Sequence, residues 1–521
     1  MDNYNRSIII GLGLMLVAPN QSNHQVIAAS ASSASSASSL VNSNTHQTFA
    51  DELTTNLYTN TNECSSALGI SMAFSLIYPG CTGEAIDQLR NVFGYPNDPN
   101  DSNNNNIMQL VWEDTINRMQ NKSAGQCPGG RWNGECDSEA PTLKIANSIW
   151  FDDNSTLHQN YNNVVGRYAK QIDLASDDSP IIVNEWVKNS TNGMIESIVP
   201  EDRPLFPPHE LIAINSIYLK ASWKHPFREA MTNLDSFYGS IARDVEVSKA
   251  HFMNGVFDSL NYSHDALPGY QIVQLPFASS QMSMIIVLPM SDAIGPSTSS
   301  NVISALNDLQ STRVALSIPK FKFESTYDDT LKSALHQTGI IAPFTGGSLC
   351  GLFQDAKYCD SLYVDKVIQK TVIDVHEIGI EAAAVTAILL GRSAPVFSEE
   401  PVLMMCNRPF QFFVYDGEEG LVLFEGRVGE PAVPEGEGPV VPLLDSKHEE
   451  SDFWSKAFYV SPVDPVDSSP ANDNMLVNGK EVDSSEAEPN SLSSNRGFVS
   501  FKKCCTLILG AFLGFVLGLL L

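Results

Sequence analysis

Residues 377–395 read EIGIEAAAVTAILLGRSAP, and this stretch decides the fold. After Glu377 it carries only two charged side chains, Glu381 and Arg392. Its Gly and Ala residues supply neither a good amphipathic helix face nor a bulky strand core, but freedom to change conformation. In an extended chain, alternate side chains point to opposite faces. Ile380, Ala382, Ala384, Thr386, Ile388 and Leu390 then form one uncharged set. Glu381, Ala383, Val385, Ala387 and Leu389 form the other. The segment can be an exposed loop in one state and a buried central strand in another.

Outward from it, Cys406-Asn407-Arg408-Pro409-Phe410 and Phe424-Glu425-Gly426-Arg427-Val428 follow downstream. Upstream lie Asn184-Glu185-Trp186-Val187 with Thr191-Asn192-Gly193, then Asn215 to Lys220 with Trp223, Pro226, Phe227 and Thr232. Leu275-Pro276-Phe277, Leu288-Pro289 and Ile318-Pro319-Lys320-Phe321 come next. This ordered series, from Gln47 to Pro431, resembles the serpins. The resemblance implies an α+β fold with a large central mixed β-sheet, two further sheets, about eight or nine helices and an exposed reactive loop.

It also implies a mechanism. Glu377, Gly379, Ile380, Glu381, Ala382, Ala383 and Ala384 match the hinge. A serine endopeptidase, or a cysteine one, cuts the loop, and the freed hinge inserts into the main sheet with the acyl-enzyme attached. Counting from Glu377 puts the reactive bond at Ser393-Ala394, or at Arg392-Ser393 if the loop is one residue shorter. Arg392 is favoured, since a carboxylate-lined pocket binds a guanidinium in bidentate fashion. The expected partner is thus a trypsin-like or other Arg-specific protease. Ser66 and Asn215 keep two positions of the family's shutter, and Trp223 belongs to its breach. Ala67, Gly69 and Gln369 depart from the pattern, Gln369 standing where a His is usual. Ile380 occupies a position that inhibitory members give to Thr or Ser, and overpacking there would slow insertion.

The competing readings are an enzyme and a non-inhibitory binding, carrier or surface protein on the same scaffold. The sequence holds no Gly-x-Ser-x-Gly elbow, His-Glu-x-x-His helix or P-loop, which argues against catalysis. No cofactor or metal site is expected. The Asn-rich Asp98–Asn106 stretch lacks the Gly and terminal Glu of a calcium loop. A net charge of -29 argues against nucleic acid, anionic lipid or glycosaminoglycan as the main partner.

The ends carry addresses. Arg6 and the apolar run Ile8 to Ala18 fit a signal peptide over residues 1–28, followed by a Ser/Ala-rich linker at 29–46. The globular domain is expected over 47–431 and an acidic, disordered tail over 432–495. Residues 496–521 form a hydrophobic anchor or anchor signal. Ser493-Ser494-Asn495 before an apolar terminus match a GPI-anchor signal, with a transmembrane helix as the alternative and a tail anchor third. A secreted, extracellular or cell-surface protein follows, attached to the membrane at its C-terminus. That compartment would allow disulfides Cys127–Cys136 and Cys350–Cys359 and glycans at Asn121, Asn154, Asn189 and Asn261.

Overall fold

The structure, a computed structural model, describes residues 43–59, 61–95, 131–132, 135–136, 141–152, 156–205, 211–355, 359–380 and 400–431. All lie in the first of two units of the chain, which ends at Leu444. In chain order the helices are α1 (Ser43–Leu57), α2 (Ala67–Ile77), α3 (Glu84–Phe93), α4 (Gln159–Val165), α5 (Ser179–Ser190), α6 (Ser299–Ala305) and α7 (Asp329–Gln337). The early strands are β1 (Glu63–Ser65), β2 (Arg131–Trp132), β3 (Glu135–Cys136), β4 (Thr142–Asp152), β5 (Ala169–Ile172) and β6 (Leu211–Ser222). Then come β7 (Asn233–Tyr238), β8 (Glu246–Ser263), β9 (Tyr270–Pro276), β10 (Met282–Pro289), β11 (Gln310–Pro319) and β12 (Phe321–Tyr327). The last are β13 (Val364–His376), β14 (Gly379–Ile380), β15 (Val402–Met405), β16 (Phe410–Asp416) and β17 (Leu421–Val428).

The fold is α+β. A nine-stranded sheet runs β1-β17-β16-β10-β9-β8-β11-β15, with β7 on β8, and a six-stranded sheet runs β12-β13-β14-β6-β4-β5. β2 and β3 form a separate ribbon. The six-stranded sheet is mixed, because β13 pairs with β6 and β4 with β5 in parallel, while its other pairs are antiparallel.

Local chemistry explains the central pieces. Ser66 caps α2 by accepting from the Gly69 amide, and every residue of this helix is buried. Pro79 and Gly80 end it in a 3-10 turn, and Gly94, in the left-handed region, ends α3. The strand β6 opens on the apolar run Leu211–Ile214 and is buried at every position but Lys220 and Ser222, so both of its faces are covered. One face receives the main core, including Leu211, Ala213, Ile217, Leu219 and Ala221. The other packs Ile212 and Ile214 with Val183 and Val187 of α5.

Helix α4 stops at Val165, and Ala169–Ile172 pairs with β4 as strand β5. Gly166 and a short reversal let the Ile149 amide donate to the Tyr168 carbonyl, which recruits the segment into the sheet. The N-terminal helix begins at Ser43, four residues before Gln47.

Beneath α1, His46, Ala67 and Ser299 line a small cavity with the Gly420–Glu425 segment, and His46 is only 3% exposed. Burial lowers the His46 pKa from 6.5 to about 4. A folded-state value below the unfolded one means stability is fully present above pH 6.5 and is lost as pH falls toward 4. The loss should reach about 3 kcal/mol. His46→Leu should flatten that limb of a Tm-against-pH curve, and curves of equal slope for both proteins would refute it. Burial, with Asp51 adding, raises the Glu425 pKa, so its contribution runs the other way and is lost as pH rises above the ordinary carboxyl value.

Candidate functional site

The site grows from the point where β13 and β6 part. Their direct parallel ladder runs from Val364 with Leu211 up to Thr371 with Ile217. At the top, β14 lies between them, antiparallel to both. Gly379 faces His376 on one side and Ser222 on the other, and Ile380 faces Val375 and Ala221. Only the two residues Glu377 and Ile378 connect β13 to β14, so the hinge folds straight back into the seam beside its own strand.

That turn is held from several sides. The Glu377 carboxylate, in a residue 6% exposed, accepts from Thr232 Oγ1 at 2.7 Å and pairs with Lys320 Nζ at 3.5 Å. Its carbonyl accepts from the Phe227 amide, and the Ile378 carbonyl accepts from the Trp223 amide. Trp223 Nε1 donates to the His376 carbonyl at 2.9 Å, while the indole stacks on Phe277. Burial lowers the His376 pKa, against the raising pull of Asp374 and Glu377. A Cβ at position 379 would overlap the Ala221 carbonyl and Ser222 Cα, so close backbone approach requires glycine there. Ile380 is 3% exposed and belongs to the main core cluster. The room that its bulk needs already exists at the top of the seam.

Lower down, a buried polar chain crosses the seam. Gln369 Oε1 accepts from the Ser66 amide at 3.0 Å, and its Nε2 donates to the Ser66 carbonyl and to Asn215 Oδ1 at 2.8 and 2.7 Å. Asn215 Nδ2 passes the chain to Asn147 Oδ1 on β4 at 2.8 Å. Gly69 makes this possible, since a Cβ there would collide with the Asn215 amide. Gln369 thus ties α2, β13 and β6 without a titratable proton. Gln369→Ala would strand the Ser66 amide and Asn215 Oδ1, costing about 2–4 kcal/mol. The expected result is a Tm lower by roughly 3 °C and faster spontaneous loop insertion, read by calorimetry. A second tie lies on the outer face, where Lys370 Nζ donates to the Ser197 carbonyl at 2.9 Å and pairs with Glu324 at 3.0 Å. Asn184 of α5 pins the same return segment by binding the amides of Ile198 and Val199.

Of the residues to which the sequence points, Glu377, Gly379, Ile380, Ser66, Asn215, Trp223 and Gln369 are grouped at the top and middle of one seam. Asn147 and Lys370 carry no such mark in the sequence, and Lys320 and Thr232 stand there only as parts of matching strands. Their partners lie far away in sequence, and no local pattern marks them. Glu381, Ala382, Ala383, Ala384, Arg392, Ser393 and Ala394 lie outside the described residues. So do Asn121, Asn154, Cys127, Ser493, Ser494, Asn495, the N-terminal run and the C-terminal tail. Asn189 and Asn261 are exposed, and Cys350 is bonded to Cys359. Cys136 lies in the short strand β3. Among the described residues no helix is long and apolar enough to cross a membrane. The buried thiols of Cys64 and Cys406 are pushed up to about 12 by desolvation, which keeps them neutral and unreactive.

Comparison with known proteins agrees with this architecture. The family description "Serpin (serine protease inhibitor)" matches residues 44–431. Serine protease inhibitor 42Dd of Drosophila melanogaster is 28% identical over 386 residues, covering 73% of this chain and 94% of the relative. Serpin48 of the insect Tenebrio molitor superposes with a TM-score of 0.58 at 24% identity, over 75% of this chain and 97% of that one. Human thyroxine-binding globulin superposes with a TM-score of 0.59 at 19% identity, over 76% and 98%. With the hinge, seam and sheet order in place, this chain belongs to the serpin family.

Proposed function

We propose that the chain inhibits a serine endopeptidase, or in second place a cysteine endopeptidase, as a suicide substrate, with Arg392-Ser393 as the bond attacked and Ser393-Ala394 as the alternative. One observation carries this reading: Gly379 and Ile380 already lie between β13 and β6. Continuing downward in that register, Ala382 would lie between Ile373 and Leu219, and Ala384 between Thr371 and Ile217. Thr386 would lie between Gln369 and Asn215, and Ile388 between Val367 and Ala213. From Thr371–Ile217 down, these flanking residues are the pairs that already face each other across the seam. The even-numbered set, which has no charge, would face the core that holds Ile380.

The protease nucleophile attacks the Arg392 carbonyl, the Ser393 amine leaves, and an acyl-enzyme remains on the severed hinge. Insertion then carries the protease along and distorts its oxyanion hole, so that water cannot complete the cycle. The chain itself performs no catalysis in this scheme. The family relative named as a serine protease inhibitor supports the inhibitory reading. We further assign the protein to the secretory route, with glycans at Asn189 and Asn261, where both side chains are exposed, and with membrane attachment through residues 496–521.

Incubating the protein with trypsin and a small panel of other proteases tests the scheme. The expected product is an SDS-resistant complex and a cut after Arg392. Arg392→Ala should lose the complex with Arg-specific enzymes. Cleavage without a complex would instead support a binding or carrier serpin.

A further inference from the structure

The segment before β13 forms contacts that insertion of a strand has to undo. Cys350 and Cys359 are bonded, and both are half-buried. Near one end of the loop they close, Leu352, Phe353 and Gln354 run along Thr156, Leu157 and His158, which follow β4. The His158 amide donates to the Leu352 carbonyl at 2.7 Å, and the Gln354 amide donates to the Thr156 carbonyl at 3.0 Å. Leu157 and Phe353 form an antiparallel bridge between them. The buried Phe353 ring packs on Phe151 of β4, with centroids 5.5 Å apart.

The position of these contacts matters. Val364, the first residue of β13, faces Leu211 of β6, and Leu211 faces Phe151 of β4. The segment that leads into β13 is thus bonded to the one that leaves β4, while its Gly351 amide donates to the Gly80 carbonyl of the turn after α2. A strand added between β13 and β6 takes their spacing from about 4.8 Å to about twice that. Hydrogen bonds with one end on each side cannot follow such a displacement unless the loop uncoils. Closing that loop with a covalent bond removes most of its undocked conformations, which favours the gripped state.

On the loop-insertion reading above, we propose that the Cys350–Cys359 bond and the neighbouring Leu352–Gln354 contacts form a redox-sensitive clamp at the lower end of the seam, which slows insertion when oxidised and releases it when reduced. Opening requires an external dithiol. One of its thiolates attacks a sulfur of the pair and breaks the S–S bond, and its second thiol resolves the mixed disulfide. Two electrons and two protons pass to Cys350 and Cys359, which become thiols, and the dithiol becomes a cyclic disulfide.

The full chain, the Cys350→Ala/Cys359→Ala double variant and dithiothreitol-treated protein are compared by two readouts. Amide hydrogen exchange at His158 and Gln354 reports the grip whether or not the protein inhibits anything. Both reduction and the double variant should lose about tenfold in protection. The rate at which loop-nicked protein gains heat stability should rise by about tenfold as well. Phe353→Ala, with the disulfide intact, should shift both readouts in the same direction. Unchanged exchange at both amides overturns the clamp. Unchanged insertion rates despite lost protection also overturn it, since the grip would then not limit insertion. If nicked protein never gains heat stability in any form, the insertion reading fails, and with it the clamp's role, even where exchange shows the contacts loosened.

Discussion

Nicked after Arg392 or Ser393, the protein should melt about 20 °C higher than the intact chain. Insertion replaces one ladder between β13 and β6 by two, so about ten inserted residues add on the order of ten hydrogen bonds net, at roughly 0.5–1.5 kcal/mol each. Burial of Ile388 and Leu390 adds about 1.5–3 kcal/mol apiece. The sum, about 15 kcal/mol, is as large as the whole stability of a typical domain. For a domain spanning 44–431, the unfolding entropy is about 0.8 kcal/mol per kelvin, which converts that gain into the stated rise. On that expectation the intact form would be held by a barrier and not by its depth. Calorimetry before and after limited proteolysis measures the difference directly. A change below about 3 °C would end the trap interpretation.

On the proposed trapping mechanism, Ile380→Arg should leave the protein a mere substrate. The side chain at this position is 3% exposed within the main core cluster, flanked by Ala221 and Val375. An unpaired guanidinium there costs several kcal/mol, so the hinge leaves the seam and the first step of insertion becomes uphill. Each 1.4 kcal/mol on the barrier slows insertion about tenfold, which gives water time to release the protease. The stoichiometry of inhibition should climb from about one inhibitor per protease to above ten. The intact variant should melt no more than about 5 °C lower, because leaving the sheet forfeits the Ile380 burial and the short β14 ladder but gives the arginine to solvent. Ile380→Thr, smaller and uncharged, should keep inhibiting. If the arginine variant still forms the SDS-resistant complex at wild-type stoichiometry, the buried hinge plays no part in trapping.

Ile380 is legible in the sequence in part. Alternation put it on the uncharged face, and the structure buries it there. Family comparison marked it as oversized, yet the two strands already part around it, because β13 and β6 pair directly only up to Thr371 and Ile217. Gln369 was legible merely as a departure from the family's usual His. Its bonds to Ser66 and Asn215 join residues 303 and 154 positions apart. No periodicity within a single element can announce such a partner.

The chain's local order was sufficient for several features. The two-residue alternation of the hinge, the apolar run that opens β6, the Ser66 cap and the Gly and Pro stops follow from backbone geometry and from the demand that apolar faces be covered. Three-dimensional packing alone settled where the seam opens, why position 379 admits no side chain, and which loop grips β4 beside it. Those depend on segments brought together across hundreds of residues, whose meeting is governed by sheet pairing and mutual fit, which short-range patterns do not encode.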